Sequence, residues 1–229
     1  SDPDTALYFR GLAESALGEH QAAMKSWDQV IVDYPQSDHW GEALFEKAAT
    51  QWFNLGKYQQ ASKTLIDAVN ADPLHPLAAK LIFEAARIDE RGERLDQAAK
   101  LWERVATEYP DSEFSNQSIF LAGITRFRLA DYLVAQSLFQ RLQAQAADPG
   151  ERAKAFLWIG KSQAIQGNSQ DAQISWRQAA ELDPTGYYSE RAQDLMENRQ
   201  PFTPPEEYDL SYDLNSERIE AEAWMRTVF

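Results

Sequence analysis

Residues 56–73 read GKYQQASKTLIDAVNADP, and this stretch decides the fold. Ala61, Leu65 and Ala68 are spaced i, i+4 and i+7, which places them on one face of a helix. The glycine before this run and Pro73 after it are start and stop signals. The pattern predicts two helices joined by a turn, at residues 40–55 and 59–71.

The same apolar face recurs five times along the chain. Its alanines are separated by 38, 37, 37 and 37 residues, and a bulky apolar residue follows each alanine by four positions. A fixed period of this size is typical of a solenoid, in which each unit buries its apolar face on its neighbours. The five pairs are Ala23/Trp27, Ala61/Leu65, Ala98/Trp102, Ala135/Phe139 and Ala172/Trp176.

Glycine and proline divide each repeat into two helices. A glycine is expected at the turn within a unit, because a helix commonly ends in a left-handed residue; the fourth unit has Ala130 there. Proline closes every unit, since it cannot continue a helix. The turn glycines are Gly18, Gly56, Gly92 and Gly167, and the closing prolines are Pro35, Pro73, Pro110, Pro149 and Pro184.

These signals predict an all-α fold, a right-handed α-α superhelix (solenoid) of five helix pairs. We expect the array to cover residues 1–198, with a cap helix at 186–198 covering its last apolar face. A Pro-rich extended segment and a C-terminal helix are expected in residues 199–229. The predicted units are residues 4–35, 40–73, 77–110, 115–149 and 152–184.

The overall composition argues against several classes of function. The chain has 229 residues, and its 36 acidic and 22 basic side chains give a formal charge of −14. Nucleic acid and anionic membrane are disfavoured as partners, because both need a positive face. The absence of cysteine excludes disulfides and thiolate chemistry. No apolar stretch approaches the ~20 residues of a membrane span, and no signal peptide is seen.

No pattern of catalytic or metal-binding residues stands out. Glu14-Ser15 lies in the first helix without a glycine-rich stretch after it, so we interpret Glu14 as a solvated helix-face charge. His20, His39 and His75 lie in separate units, and none forms the spaced pair of a helical metal site. We therefore expect no catalytic residue, no metal and no cofactor in this chain.

The first helices of the units are expected to line a concave groove, the usual binding surface of such arrays. Counting back from each turn gives a lining with an aromatic middle and a cationic end. Ordinary helix packing explains each of these positions about as well as ligand contact does. The predicted lining residues are Tyr8, Leu12, Glu46, Thr50, Phe53, Ile82, Ala86, Phe120, Ile124, Phe127, Lys154, Leu157 and Lys161.

The repeat resembles the tetratricopeptide repeat over residues 4–184. The matching residues are Gly56, Tyr58, Ala61, Leu65, Ala68 and Pro73 in the second unit, and Gly160, Gly167, Ala172, Trp176, Ala179 and Pro184 in the fifth. The usual period of that family is about 34 residues, so the additional residues should lengthen the loops between units. Chaperone-binding members carry a Lys/Asn/Arg clamp, whereas this chain has Tyr8, Leu12 and Glu46 at those positions, which argues against that role.

Residues 186–229 resemble a segment of bacterial tetratricopeptide-bearing soluble lytic transglycosylases. The matching stretches are GYYSERA at 186–192, PF at 201–202, PP at 204–205, YDL at 208–210 and EAEAWMR at 220–226. In that family a superhelix precedes a lysozyme-like domain that cleaves peptidoglycan. The resemblance implies such a domain after Phe229 and a bacterial cell envelope location, periplasmic or extracytoplasmic; a cytoplasmic location stays open. The last helix would dock that domain, cap the array, or do both, through Ile219, Trp224 and Val228.

Three functions are compatible with this sequence. The leading hypothesis is a non-catalytic scaffold, the superhelical part of a peptidoglycan lytic transglycosylase, with the downstream domain and peptidoglycan as partners. The alternative is a stand-alone adaptor that binds a protein or peptide segment in its groove. The third, an enzyme in its own right, has no support in the residues. A monomer is favoured, and a dimer through an undocked last helix stays open.

Overall fold

The computed structural model describes residues 2–201 and 213–228. Within these residues every regular element is a helix, and from α1 to α11 each helix packs against the next along the chain. The predicted right-handed all-α solenoid is confirmed. The helices are α1 Pro3–Ala16, α2 His20–Asp33, α3 Trp40–Ala49, α4 Tyr58–Ala71, α5 Ala78–Arg91, α6 Leu95–Glu108, α7 Ser115–Arg128, α8 Tyr132–Gln145, α9 Pro149–Ile165, α10 Ser169–Leu182, α11 Tyr187–Met196 and α12 Leu214–Val228.

The repeated apolar face forms the core between the two helices of each pair. Trp27 on α2, Trp102 on α6 and Phe139 on α8 have no exposed surface. Each ring fits because the facing first helix carries a small residue. At Gly123, for example, an added Cβ would overlap the ring of Phe139. Burial of these aromatic residues stabilises the first, third and fourth pairs, and fully buried Leu65 has the same place in the second.

One residue in each pair reverses the chain in a left-handed backbone conformation. In the third pair this residue is Glu93 (φ 55°), whereas Gly92 has an ordinary φ of −83°, so the prediction of Gly92 as the turn residue was wrong. Ala130 fills the position in the fourth pair with φ 61°. The left-handed residues are Gly18, Gly56, Glu93, Ala130 and Gly167, which are separated by 38, 37, 37 and 37 residues, like the core alanines.

The one additional residue of the second pair lies inside its first helix. Gly56 follows the first residue of α3 by 16 positions, whereas Glu93 and Ala130 follow the first residues of α5 and α7 by 15. Beyond Ala49 the helix continues as a π-helical turn at Thr50–Asn54, which we call the π-turn. A π-turn accommodates one residue more than an α-helical turn. The irregular first spacing of the repeat therefore has a local structural cause.

The array ends at α11, which packs on α9 and α10. Ala192 is fully buried there, and the hydroxyl of Ser189 donates to the Ala179 carbonyl oxygen at 2.6 Å. On α12 every described side chain is exposed. The predicted extended segment falls on residues 202–212, outside the described residues, as does the side chain of Val228. No described helix combines the length and apolar character of a membrane span.

Candidate functional site: the first-helix face

The surface formed by α1, α3, α5, α7, α9 and α11 is called the first-helix face. Side chains bridge one first helix to the next across it. Tyr8 on α1 stacks on His39 at the start of α3, with 4.6 Å between ring centroids. Lys80 on α5 lies 5.2 Å from the ring centroid of Phe45 on α3. The face is therefore a continuous layer of side chains rather than a set of separate helix surfaces.

The predicted lining residues divide into two groups by exposure. The accessible or half-buried group consists of Leu12, Glu46, Phe53, Phe120, Ile124, Phe127 and Lys161. The buried group consists of Tyr8, Thr50, Ile82, Ala86, Lys154 and Leu157. Only the first group offers substantial surface to a partner.

Ile82 and Ala86 lie in the core instead of on the face, and both are fully buried. The sequence count ran back from Gly92, but the left-handed residue is Glu93, so the count was displaced by one position. The corrected positions are Phe83, which is 4% exposed and therefore also lies in the core, and Arg87, which is half-buried. The third unit thus contributes a basic residue to the face where an alanine was predicted.

Thr50 and Leu157 are also buried, for two different reasons. Thr50 is 3% exposed because it begins the π-turn, whose additional residue shifts the helix register relative to Gly56. Leu157 is 1% exposed because α11 covers it, and it packs in one apolar cluster with Ala192. Both effects depend on tertiary packing that the repeat period does not encode.

An aromatic–lysine cluster lies where α7 meets α9; it consists of Phe120, Phe127, Trp158, Lys154 and Lys161. The rings meet edge to face, with the Trp158 centroid 5.4 Å from that of Phe127 and 6.5 Å from that of Phe120. Lys154 Nζ lies 4.4 Å from the Phe120 centroid, and Lys161 Nζ lies 4.1 Å from that of Trp158. These distances are within the range of cation–π attraction. The cluster therefore places aromatic surface between two ammonium groups.

The two lysines of this cluster differ in their ionic partners. Lys154 donates to Glu151 at 2.6 Å, which neutralises its charge. Within the described residues no carboxylate lies in ion-pair range of Lys161, and the neighbouring Arg191 on α11 has the same sign. Burial lowers the pKa of Lys161, and the charge of Arg191 lowers it further. An anion at this point would stabilise the ammonium form of Lys161.

The opposite end of the face is acidic; this acidic end consists of Tyr8, His39, Glu42 and Glu46. His39 Nδ1 lies 2.7 Å from the Glu42 carboxylate. Glu46 is half-buried, and no basic group lies in ion-pair range of it within the described residues. Burial raises the pKa of Glu46, and the neighbouring charge of Glu42 raises it further. This end therefore favours a cation or a hydrogen-bond donor over an anion.

The π-turn carries an aromatic pair between these two ends, half-buried Trp52 and exposed Phe53. Phe53 is 74% exposed, and its centroid lies 5.5 Å from that of Trp52 in an edge-to-face contact. The Arg91 guanidinium lies 4.9 Å from the Trp52 centroid. The inserted residue thus coincides with the most exposed aromatic side chain on the first helices of the described chain.

Sequence reasoning missed Trp158 and Arg191 as residues of this face. Trp158 was assigned to a first helix but lies one position beyond the predicted Leu157, and it contacts three phenylalanine rings. Its signal was present, because the repeat's core position on this pair is already filled by Trp176. Arg191 had no such signal, because it lies on the cap helix α11, outside the five units from which the lining was counted.

Glu14 is not the solvated charge that the sequence suggested, because its side chain is only 13% exposed and accepts a hydrogen bond from Arg10 at 2.7 Å. It belongs to a set of residues on first helices, each of which accepts a hydrogen bond from a hydroxyl on the second helix of its pair. The pairs are Glu14–Ser26 (2.6 Å), Gln51–Thr64 (2.9 Å) and Gln163–Ser175 (2.7 Å). Glutamine serves this position as well as glutamate does. In the described part of the chain no cluster of His, Asp or Glu is arranged to hold a metal ion.

The stacked helix pairs and the lining of the first-helix face define an α-solenoid interaction scaffold. More particularly, residues 5–37 and residues 47–113 each match the tetratricopeptide repeat family. These two stretches therefore match the repeat family that the sequence resemblance named.

Solved structures share this architecture at low sequence identity. MamA protein has a TM-score of 0.56 and 14% identity, covering 88% of this chain and 98% of that chain. MamA from Desulfovibrio magneticus RS-1 has a TM-score of 0.52 and 16% identity, covering 81% and 97%. A putative kinesin light chain from Podosopora anserina has a TM-score of 0.53 and 16% identity, covering 85% and 98%. No curated protein sequence matches the chain. These likenesses show the fold alone.

Proposed function

We propose that this scaffold acts as an adaptor that binds a protein or peptide segment on its first-helix face. The observation that carries the proposal is the aromatic–lysine cluster. Phe120, Phe127 and Trp158 are only half-buried, although the cores of the two neighbouring pairs already contain Phe139 and Trp176. Aromatic residues are enriched at protein interfaces, and tryptophan is among the residues that dominate their binding energy.

The test is capture of peptides from a displayed random library, with the wild-type chain and a Phe120→Ala/Phe127→Ala double variant. The double variant should lose most captured peptides while its helical circular dichroism stays unchanged, because both rings are half-buried at the edge of the core around Phe139, and the core residues themselves are kept. Leu133→Ala is the matched control, since Leu133 is 73% exposed but lies on α8, a second helix. Equal capture by the double variant would contradict the proposal.

A second proposal concerns the chain's biological setting. We propose that the array is the superhelical part of a bacterial peptidoglycan lytic transglycosylase in the cell envelope, and that α12 docks the catalytic domain. The sequence resemblance of residues 186–229 supports it, as does the exposure of Ile219 and Trp224, which leaves an apolar face for a partner. In this setting the chain is a monomer whose partners are that domain and peptidoglycan.

The coding sequence beyond Phe229 tests this second proposal. A lysozyme-like domain with a Glu-Ser pair should follow, and in the joined protein Trp224→Ala should loosen the contact between the domain and α12. Hydrogen exchange of α12, with and without that domain, measures the contact. A stop codon after Phe229 would refute the proposal and leave the stand-alone adaptor.

A further inference from the structure

We infer that the aromatic–lysine cluster receives an acidic segment that also carries an aromatic or large aliphatic side chain. The segment's carboxylate binds Lys161, and its apolar side chain packs on the rings of Phe127 and Trp158. This inference rests on the proposed adaptor function and deepens it by naming the chemistry of the ligand.

Lys161 lacks the ionic partner that other basic groups of α7, α9 and α11 have. The neighbouring cations are neutralised by carboxylates of the chain itself: Lys154 by Glu151 (2.6 Å), Arg126 by Glu103 (2.6 Å) and Arg191 by Asp194 (3.2 Å). Lys161 is half-buried and has no such partner within the described residues. In a chain with 36 acidic side chains, a half-buried lysine without one is a site left open for an anion from outside.

Trp158 compensates only part of the desolvation of this lysine. The indole ring 4.1 Å from Nζ replaces part of the lost hydration through cation–π attraction. A ring cannot neutralise the charge, however, so the ammonium group keeps most of its desolvation cost. A carboxylate placed at Lys161 would form a charge-assisted hydrogen bond in a partly dry site, where such bonds are strongest.

Basic segments and purely apolar segments fit this site poorly. A basic segment would meet the unpaired charge of Lys161, which repels it. A purely apolar segment would cover Lys161 and remove its remaining water without supplying a counter-charge, which is costly. Acidic segments are disfavoured elsewhere on a chain of charge −14, so their binding would be confined to this end of the face.

The rings of Phe127 and Trp158 offer a surface for an apolar side chain of the segment. Phe127 and Trp158 meet edge to face at 5.4 Å, and Ile124 lies half-buried on the same helix as Phe127. A third ring or a branched aliphatic group can extend this arrangement without moving it, and aromatic pairs of this geometry are favourable beyond their buried area. The distance from Lys161 Nζ to the Trp158 ring, 4.1 Å, places both contacts within reach of one or two adjacent ligand residues.

A stability measurement separates this role from a structural one. A lysine that holds the fold together would lower the melting temperature when replaced. If Lys161 is kept for a ligand, the Lys161→Met variant without ligand should be as stable as wild type or more stable. Methionine has a similar length and no charge to desolvate.

The experiment is selection from a displayed random-peptide library at low ionic strength, in parallel on wild type, Lys161→Met and Lys63→Met. Lys63 is the matched control, because it is exposed on α4, a second helix, and pairs with Asp67. We expect wild type and the Lys63 variant to enrich peptides with Asp or Glu beside an aromatic or large aliphatic residue. The Lys161 variant should bind those peptides about tenfold more weakly or worse, and Lys161→Arg should restore much of the affinity.

The outcomes separate this inference from the adaptor function. Peptides that depend on Phe120 and Phe127 but show no acidic preference, or bind Lys161→Met as well as wild type, would overturn the inference and leave the adaptor standing. Failure to enrich any peptide that depends on these rings would overturn both. A lower melting temperature of Lys161→Met without ligand would also count against the inference, because it would show that the lysine stabilises the fold.

Discussion

The two ends of the first-helix face use one architecture for opposite electrostatic purposes. At the acidic end, Glu46 is half-buried beside Glu42, and its pKa is raised. In the aromatic–lysine cluster, Lys161 is half-buried beside Arg191, and its pKa is lowered. In each case burial is the larger cause and a neighbouring like charge adds to it. The repeat therefore fixes where a side chain lies but leaves its charge free to vary.

This difference gives the face a direction. A segment that lies along it meets a surface that favours cations at α1 and α3, an aromatic pair at the π-turn, and a surface that favours anions at α9 and α11. Solenoids bury their cores through contacts between neighbouring repeats, so residues at the two ends are coupled only through the units between them. Changes at one end should consequently leave binding at the other end intact.

The largest expected effect comes from removing the core beneath one end only. Phe139→Ala should cost about 3–5 kcal/mol of stability, because Phe139 is fully buried. It should also weaken capture by the aromatic–lysine cluster, since the Phe139 centroid lies 5.7 Å from that of Trp158. Urea unfolding gives the stability change, and peptide binding at a temperature where the variant is folded gives the second effect.

Trp27→Ala is the matched variant at the acidic end. Trp27 is equally buried on α2, so its loss should cost a similar amount of stability while leaving peptide binding at the cluster unchanged. Phe139→Leu, a milder change, keeps the comparison usable if the alanine variant does not fold. Equal losses of binding in both core variants would show that the two ends act as one unit.

A smaller effect is expected from Glu46→Gln. Burial raises the pKa of Glu46 above its unfolded value, so this group's stabilising contribution is present at low pH and is lost as the pH rises through the folded pKa. At neutral pH the glutamine variant should therefore be more stable than wild type, by less than about 1 kcal/mol because partial exposure screens the charge. The gain should disappear as the pH falls below the ordinary glutamate pKa.

Lys161→Met provides the mirror image of this pH dependence. The pKa of Lys161 is lowered, so its charge destabilises the folded state at neutral pH. This destabilisation declines as the pH rises through the folded pKa toward the ordinary lysine value. Thermal melts of both variants between acidic and alkaline pH test the pair. If the two gains changed in the same direction with pH, the contrast between the ends would not be electrostatic.

The sequence predicted the repeat and the helix pairs, because these depend on a period that survives along the chain, and seven of the thirteen lining residues that it named are accessible or half-buried. The predicted lining is wrong where it was counted from a local turn signal that the tertiary structure does not follow. Gly92 suggested a turn that the backbone makes at Glu93, since a non-glycine residue tolerates φ 55° there. The burial of Leu157 was missed because the lining was counted from the turn of the fifth unit alone, although the cap helix α11, which was predicted, packs on this residue.

The smallest expected effect concerns the π-turn that lies between the two ends. Gln51 lies five residues before its left-handed residue, whereas Gln163 in the equivalent position lies four before its own. The inserted residue therefore follows Gln51. Deleting Asn54, which is exposed, should restore the 37-residue spacing and let α3 continue as an α-helix up to the turn.

This deletion keeps the Gln51–Thr64 hydrogen bond and the core of the pair. We therefore expect the free energy of unfolding, measured with urea, to change by no more than about 0.5 kcal/mol. Deleting Arg91 from α5 is the control, because that helix has no additional residue and its turn at Glu93 would be displaced. That variant should be far less stable. If both deletions were equally harmful, the π-turn would be a required part of the second pair, and the exposed position of Phe53 would be a consequence of stability instead of binding.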